Sequence, residues 1–206
     1  MQLVIGNKNY SSWSLRPWLA MKMLGIAFDE IRISLYGPGS KERILQHSPA
    51  GKVPVLRDGE TVVWDSLAIL EYLAEKHPQL WPSDARQRAQ ARSVAAEMHA
   101  GFAALRQHMS MNTRKRYPGK GRTAESMADV ARIDEIWSQA RGPFLFGDFT
   151  AADAMYAPVV LRFRTYGVEV RKQSYMDAML ALPAMREWIE AAEREPESIP
   201  GQDLYG

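Results

Sequence analysis

Cysteine is absent from all 206 residues. That excludes a disulfide framework and any thiol chemistry supplied by the protein itself. The chain also has no apolar run long enough to span a bilayer, and it does not open with the basic and apolar stretches of a secretory leader. No membrane association and a cytoplasmic location are therefore expected. A dominant charge is lacking too. The 26 Lys and Arg residues against 24 Asp and Glu leave a formal net charge of +2, too even a balance for a nucleic-acid partner. One basic cluster exists, Arg114, Lys115, Arg116, Lys120 and Arg122, and the Pro118-Gly119 and Gly121 within it read as a solvated loop. The four histidines, His47, His77, His99 and His108, show no metal-ligand spacing, so no metal is expected. No internal repeat or low-complexity tract stands out.

What is present is 46% apolar residues, enough for a substantial core in one large domain or two small ones. Leu3-Val4-Ile5 reads as a short strand. Ser14 to Leu24 reads as a helix capped by Ser14, with Pro17 in its tolerant first turn. Ile31, Ile33 and Leu35 alternate with polar residues as a second strand, and Ser40 to Gln46 is a short helix. Val55 to Val63 folds as a hairpin around Asp58-Gly59, followed by a helix from Ser66 to His77. Prolines in the segment His77 to Ser83 mark a linker, which places one unit at residues 1–81 and a second at 82–206. Beyond it only helices are predicted: Asp84 to Met109, Glu125 to Arg141, Ala151 to Tyr166 and Leu182 to Glu195. The expectation is an α/β unit of order βαβαββα followed by an all-helical bundle.

Chemistry concentrates in Ser48-Pro49-Ala50-Gly51-Lys52-Val53-Pro54-Val55-Leu56 and, shortly after, Trp64-Asp65-Ser66-Leu67. An X-Pro bond can be held cis where the chain turns before a strand. A residue held there presents its backbone groups outward, and an extended peptide can pair with it. Asp65 is a good N-cap for the next helix. The free N–H groups and positive dipole end of that helix favour a carboxylate, and Asp65 itself accepts an ammonium. A zwitterionic amino-acid end fits such a helix start.

In these features the chain resembles the cytosolic glutathione transferases, whose first half is thioredoxin-like. The family places a cis-Pro before its third strand and an acidic or amide residue followed by Ser at a helix start. The resemblance implies that Val53, Pro54, Asp65 and Ser66 contact glutathione and that Lys52 faces its glycyl carboxylate. The absence of Cys removes the Cys-based members. A second signature supports the resemblance: Gly147, Asp148, Thr150, Ala152 and Asp153 nearly reproduce the segment that opens the family's buried core helix, with Thr150 and Asp153 as a capping-box variant. Its role is folding.

Glutathione reacts as its thiolate, so a hydroxyl that donates to sulfur is required nearby. The segment Tyr10-Ser11-Ser12-Trp13-Ser14-Leu15-Arg16 resembles the zeta-class motif Ser-Ser-Cys-Ser-x-Arg, whose first Ser acts on the thiol. That points to Ser11, with Ser12 beside it. Tyr10 is the rival, because other classes use a Tyr near this point. Trp13 replaces the motif's Cys, a departure that weighs against the zeta-class isomerisation of maleylacetoacetate. Arg16 reads as one half of an internal salt bridge.

The family's second substrate lies between the first-helix loop and the long fourth helix, so Tyr10, Trp13, Met109, Met111, Asn112, Arg114 and Tyr117 are candidates for its wall. Glu97 is placed to reach the glutathione ammonium across a dimer interface. The resemblance thus implies a glutathione transferase acting on a small electrophile, in a detoxification-type role and as a symmetric homodimer. The alternatives are a glutathione-dependent isomerase or a non-catalytic glutathione- or ligand-binding relative.

Overall fold

The structure is a computed structural model describing residues 1–206. Its first part contains β1 (Gln2–Ile5), α1 (Ser12–Met23), β2 (Asp29–Arg32), α2 (Ser40–Leu45), β3 (Val55–Asp58), β4 (Thr61–Val63) and α3 (Ser66–Lys76). A one-turn 3-10 helix at Pro78–Leu80 leads to α4 (Ala85–Ala100), α5 (Ala103–His108), α6 (Ala124–Ser138), α7 (Ala151–Tyr166), α8 (Gln173–Ala181) and α9 (Pro183–Glu193). The sheet order is β2-β1-β3-β4, with β1 and β2 parallel and the other pairs antiparallel. This is the thioredoxin-like unit plus helical bundle of the glutathione-transferase fold. No helix is long and apolar enough to cross a membrane.

Each element has a local cause. The hairpin turns at Gly59, whose φ of 58° suits a residue without a side chain, and Asp58 pairs with Thr61 across it. Asp65 caps α3 by accepting the Leu67 N–H at 3.1 Å. Leu70 and Leu73 are buried, while Leu67 and Ala74 pack against the core from its edge. Helix α7 is buried along nearly its whole length, the pattern of a helix enclosed on all sides. Asp153 starts it, accepting from the Thr150 N–H at 2.8 Å, the Thr150 hydroxyl at 3.0 Å and the Leu145 N–H at 3.0 Å. One continuous core joins the halves: Leu15, Trp18 and Leu19 of α1 belong to the same cluster as Met155 and Val159 of α7 and Trp188 of α9.

Several sequence expectations need correction. The second strand is Asp29–Arg32, not Ile31 to Leu35, because it pairs residue by residue with β1 and β1 ends at Ile5. The helix expected from Asp84 to Met109 is two helices. At Gly101 a side chain would stand 2.9 Å from the Glu97 carbonyl, and Phe102 takes a φ of 62°. Helix α5 then restarts, with its Leu105 N–H donating to Asp129. Helix α8 has no counterpart in the sequence reading. Helix α1 begins at Ser12, so Ser14 lies inside its first turn and does not cap it. The Ser14 hydroxyl instead accepts the Gly6 N–H at 3.1 Å.

Candidate active site

The loop from Asn7 to Ser11 joins β1 to α1 and is fixed from distant parts of the chain. Its Asn7 side-chain carbonyl accepts the Leu35 N–H, and its Asn7 main-chain carbonyl accepts the Ser11 N–H at 2.8 Å. The Lys8 and Asn9 N–H groups both donate to the Glu195 carboxylate, at 2.6 and 3.0 Å. The Asn9 side-chain carbonyl accepts from the Arg114 N–H at 2.9 Å. Burial raises the Glu195 pKa, against the pull of those two N–H donors. Ser11 and Ser12 are thereby held at the N-terminal end of α1, both nearly buried.

In front of them lies a cavity of about 710 Å³. Its walls bring together Tyr10, Ser11, Ser12 and Trp13 from the loop and α1. Lys52, Val53 and Pro54 come from the turn before β3, and Asp65 and Ser66 from the start of α3. Nine of the residues singled out from sequence therefore share one space. The Val53–Pro54 peptide is cis, as its position before the strand suggested. The helical half adds His99 of α4 and Gln202 of the C-terminal segment. His99 Nε2 stands 3.1 Å from a carboxylate oxygen of Asp65. No group of three His, Asp or Glu residues stands together as a metal site would need.

The hydroxyls are not equivalent. The Tyr10 hydroxyl donates to the Asp203 carboxylate at 3.0 Å and accepts the Ile199 N–H, so its proton is already engaged. The Ser11 oxygen lies 2.7 Å from that of Ser14, whose other partner is the Gly6 N–H. That arrangement lets Ser14 donate to Ser11 and frees the Ser11 proton for a ligand. The Ser12 oxygen accepts from Arg162 at 3.4 Å, leaving its proton unengaged.

Other expected residues stand elsewhere. Met109 and Met111 are buried in the core and do not line the cavity. Asn112 donates to Asp203 at 2.6 Å, and Tyr117 donates to the Gly206 carbonyl. The Arg114 guanidinium is bound to the main-chain carbonyls of Glu195 and Glu197 and lies over the Tyr10 ring, so it ties down the C-terminal segment. Glu97 is held by Arg132 at 2.7 and 3.0 Å. Arg16 makes no salt bridge. It donates to the Met155 carbonyl and the Ser66 hydroxyl, and it stacks 4.2 Å from the Trp13 ring centre. Glu195, His99, Arg106, Arg162 and Gln202 were not singled out for this site from sequence as they stand here. Each acts across more than thirty residues of chain, where no local pattern marks it.

The family described as "Glutathione S-transferase, N-terminal domain" matches residues 10–76, and "Glutathione S-transferase, C-terminal domain" matches residues 83–191. The maleylacetoacetate isomerase of Rattus norvegicus is 28% identical over 189 residues, covering 85% of each chain. A probable maleylacetoacetate isomerase of Caenorhabditis elegans is 26% identical over 77% of each chain. A zeta-class glutathione S-transferase of Euphorbia esula is 38% identical over 82 residues, 38% of this chain and 36% of its own. Among solved structures, a maleyl pyruvate isomerase described as a bacterial zeta-class enzyme superposes with a TM-score of 0.72 at 24% identity, covering 97% of this chain and 100% of its own. A Burkholderia glutathione transferase homologue with bound glutathione gives a TM-score of 0.72 at 20% identity, covering 94% of this chain and 98% of its own.

Proposed function

This chain belongs to the glutathione S-transferase family, and from that premise we propose that it binds glutathione in the cavity before α1 and activates the thiol with serine hydroxyls for attack on a small electrophile. One observation carries this reading: a single space holds the cis Val53–Pro54 turn, the Asp65-capped start of α3 and the Ser11–Ser12 pair. The turn supplies backbone groups for the cysteinyl unit. The start of α3 supplies N–H donors for the γ-glutamyl carboxylate and Asp65 for its ammonium. Lys52, on the cavity wall, suits the glycyl carboxylate. Ser11 and Ser12 then face the sulfur from the N-terminal end of α1, whose dipole adds to their effect. Hydrogen bonds to a charged group are worth roughly 1.5–3 kcal/mol each, about one to two pKa units.

Residues 1–81 and 82–206 serve as the glutathione-binding unit and the unit that completes the electrophile wall. Trp13, the Tyr10 ring and His99 offer that wall its aromatic surface. A glutathione-dependent isomerase is the second reading. Similarity to maleylacetoacetate isomerases over three quarters or more of the chain favours it. A symmetric homodimer is part of the proposal, as membership of the family suggests. Calorimetric titration with glutathione tests the core of this reading, with a dissociation constant expected in the micromolar to millimolar range. A screen of electrophile classes with glutathione then separates conjugation from isomerisation. Absence of glutathione binding would refute both readings.

A further inference from the structure

Three arginines converge behind the serine pair. Arg16 of α1 and Arg106 of α5 both lie over the Trp13 ring, their guanidinium carbons 4.2 and 4.8 Å from its centre. Arg162, about one turn before the end of α7, places one nitrogen on the Met109 carbonyl and another 3.4 Å from the Ser12 oxygen. Arg16 and Arg162 are buried, at 0% and 5% exposure. None of the three belongs to an ion pair. Their donors go to main-chain carbonyls, to serine hydroxyls and to the Met98 sulfur. Aromatic stacking compensates two of them in part. For Arg162 the Ser12 hydroxyl is the only side-chain partner.

A buried guanidinium without a carboxylate is costly unless something anionic is brought to it. Ser12, the side-chain partner of Arg162, lines the glutathione cavity. Resting on the glutathione reading above, we propose that Arg162 is a positioning residue: by donating to Ser12 it fixes that hydroxyl with its proton toward the sulfur and lends it positive charge, so that bound glutathione ionises. The thiol proton leaves to bulk water, and the thiolate supplies the negative charge that the cluster lacks. Burial and the neighbouring Arg106 pull the Arg162 pKa down to about 9, so it is still charged at neutral pH.

The other titratable groups nearby do not replace this role. Tyr166 of α7 donates to the Ser110 carbonyl and stays neutral, its pKa raised by burial. Arg106 of α5 adds to the field, its guanidinium bonded to the Gly101 and Met98 carbonyls. Asp65 at the start of α3 faces Arg16 and His99, at the γ-glutamyl end of the cavity. Lys41 and Lys52 line the cavity from the segments before β3.

The test measures the pKa of enzyme-bound glutathione from thiolate absorbance against pH, alongside calorimetric affinity, in the wild type, Arg162→Gln, Arg162→Lys, Ser12→Ala and the Arg162→Gln/Ser12→Ala pair. Arg162→Gln is expected to raise the bound thiol's pKa by about one unit, a tenfold loss of thiolate at neutral pH, with affinity nearly unchanged. Arg162→Lys should restore part of the shift. Ser12→Ala should match Arg162→Gln, and the pair should be no worse than either, because the arginine acts through the serine. If Arg162→Gln does not fold, Arg162→Lys carries the test: it should raise the bound thiol's pKa by less than Ser12→Ala does, and an unshifted pKa in it overturns the proposal. An unshifted thiol pKa in folded Arg162→Gln or in Ser12→Ala, or independent additive shifts in the pair, would overturn the proposal. Wild type that binds glutathione with an ordinary thiol pKa overturns it while leaving the binding reading intact. Wild type that binds no glutathione refutes the reading on which it rests.

Discussion

A serine hydroxyl activates a thiol only when its own proton is free and aimed, and the 2.7 Å contact with Ser14 allows Ser14 to donate to Ser11 and leave that proton free. Replacing Ser11 with Ala is therefore expected to raise the pKa of bound glutathione by about one to two units. Turnover at neutral pH should fall roughly tenfold to a hundredfold where thiolate supply limits the rate. Affinity should hardly change, because the γ-glutamyl end is anchored at Asp65 and Ser66. Tyr10→Phe is the matched control and should leave the thiol pKa in place, since its hydroxyl is already bound to Asp203. Asp65 is a different case. Its side chain is 52% exposed, so the ammonium it holds is shared with water. Asp65→Ala should weaken glutathione binding by about 1 kcal/mol in calorimetry, at the low end for a charged hydrogen bond. A loss confined to stability, with affinity intact, would show that Asp65 only caps α3.

At the scale of elements, the start of α7 rests on one buried carboxyl. Burial lifts the Asp153 pKa from 3.8 to about 6, although three donors from Thr150 and Leu145 oppose the shift. Between those two values the folded chain holds the proton more tightly than the unfolded chain. The stability contributed by this group is thus present at acid pH and is lost as pH rises through about 4 to 6, by up to about 3 kcal/mol. Urea unfolding near pH 4 and near pH 7 should show the wild type's advantage over Asp153→Asn shrinking as pH rises. A constant difference would mean that the carboxyl does not titrate in that window. The loop before α6 depends on backbone shape. Gly121 has a φ of 72°, and a side chain there would meet the His108 carbonyl at 2.2 Å. Gly121→Ala should cost about 2–4 kcal/mol, the left-handed penalty plus a backbone displacement. Gly59→Ala at the β3–β4 turn, where φ is 58° but the space is open, should cost only about 1 kcal/mol. Chemical denaturation of the two variants measures the contrast directly.

For the whole molecule the central relation is between the two halves. The loop that presents Ser11 and Ser12 is held by Glu195 and Arg114, and His99 reaches Asp65 from the helical side. Neither half completes the cavity alone. An isolated 1–81 fragment would expose Leu15, Leu19 and Trp18, which pack in the shared core. Assembly extends the same logic. A symmetric homodimer should give a sedimentation-equilibrium mass near twice 23.3 kDa at micromolar concentration. A mass of one chain would refute it.

Signals that act over a few residues were legible in the amino-acid order alone. The cis-Pro turn, the Asp58-Gly59 hairpin, the Asp65 cap and the Thr150–Asp153 cap are each decided by neighbours within one or two turns of chain, and each is found where it was read. The order of strands and helices in the first unit followed from the same local periodicity. Packing in three dimensions set the rest. Phe102 and Gly101 break what composition alone reads as one long Ala-rich helix, because α5 must turn to meet Asp129. Ser14, a cap by its position in sequence, becomes the partner of Ser11 once α1 starts at Ser12. Arg114 and Met111, expected to face the electrophile, were claimed instead by the C-terminal segment and the core. Arg162 and Glu195 carry no local mark at all. They reach the serine loop from 150 and about 186 residues away. Burial creates their roles: a charge taken out of water must find partners in space, and only the folded chain fixes which partners those are.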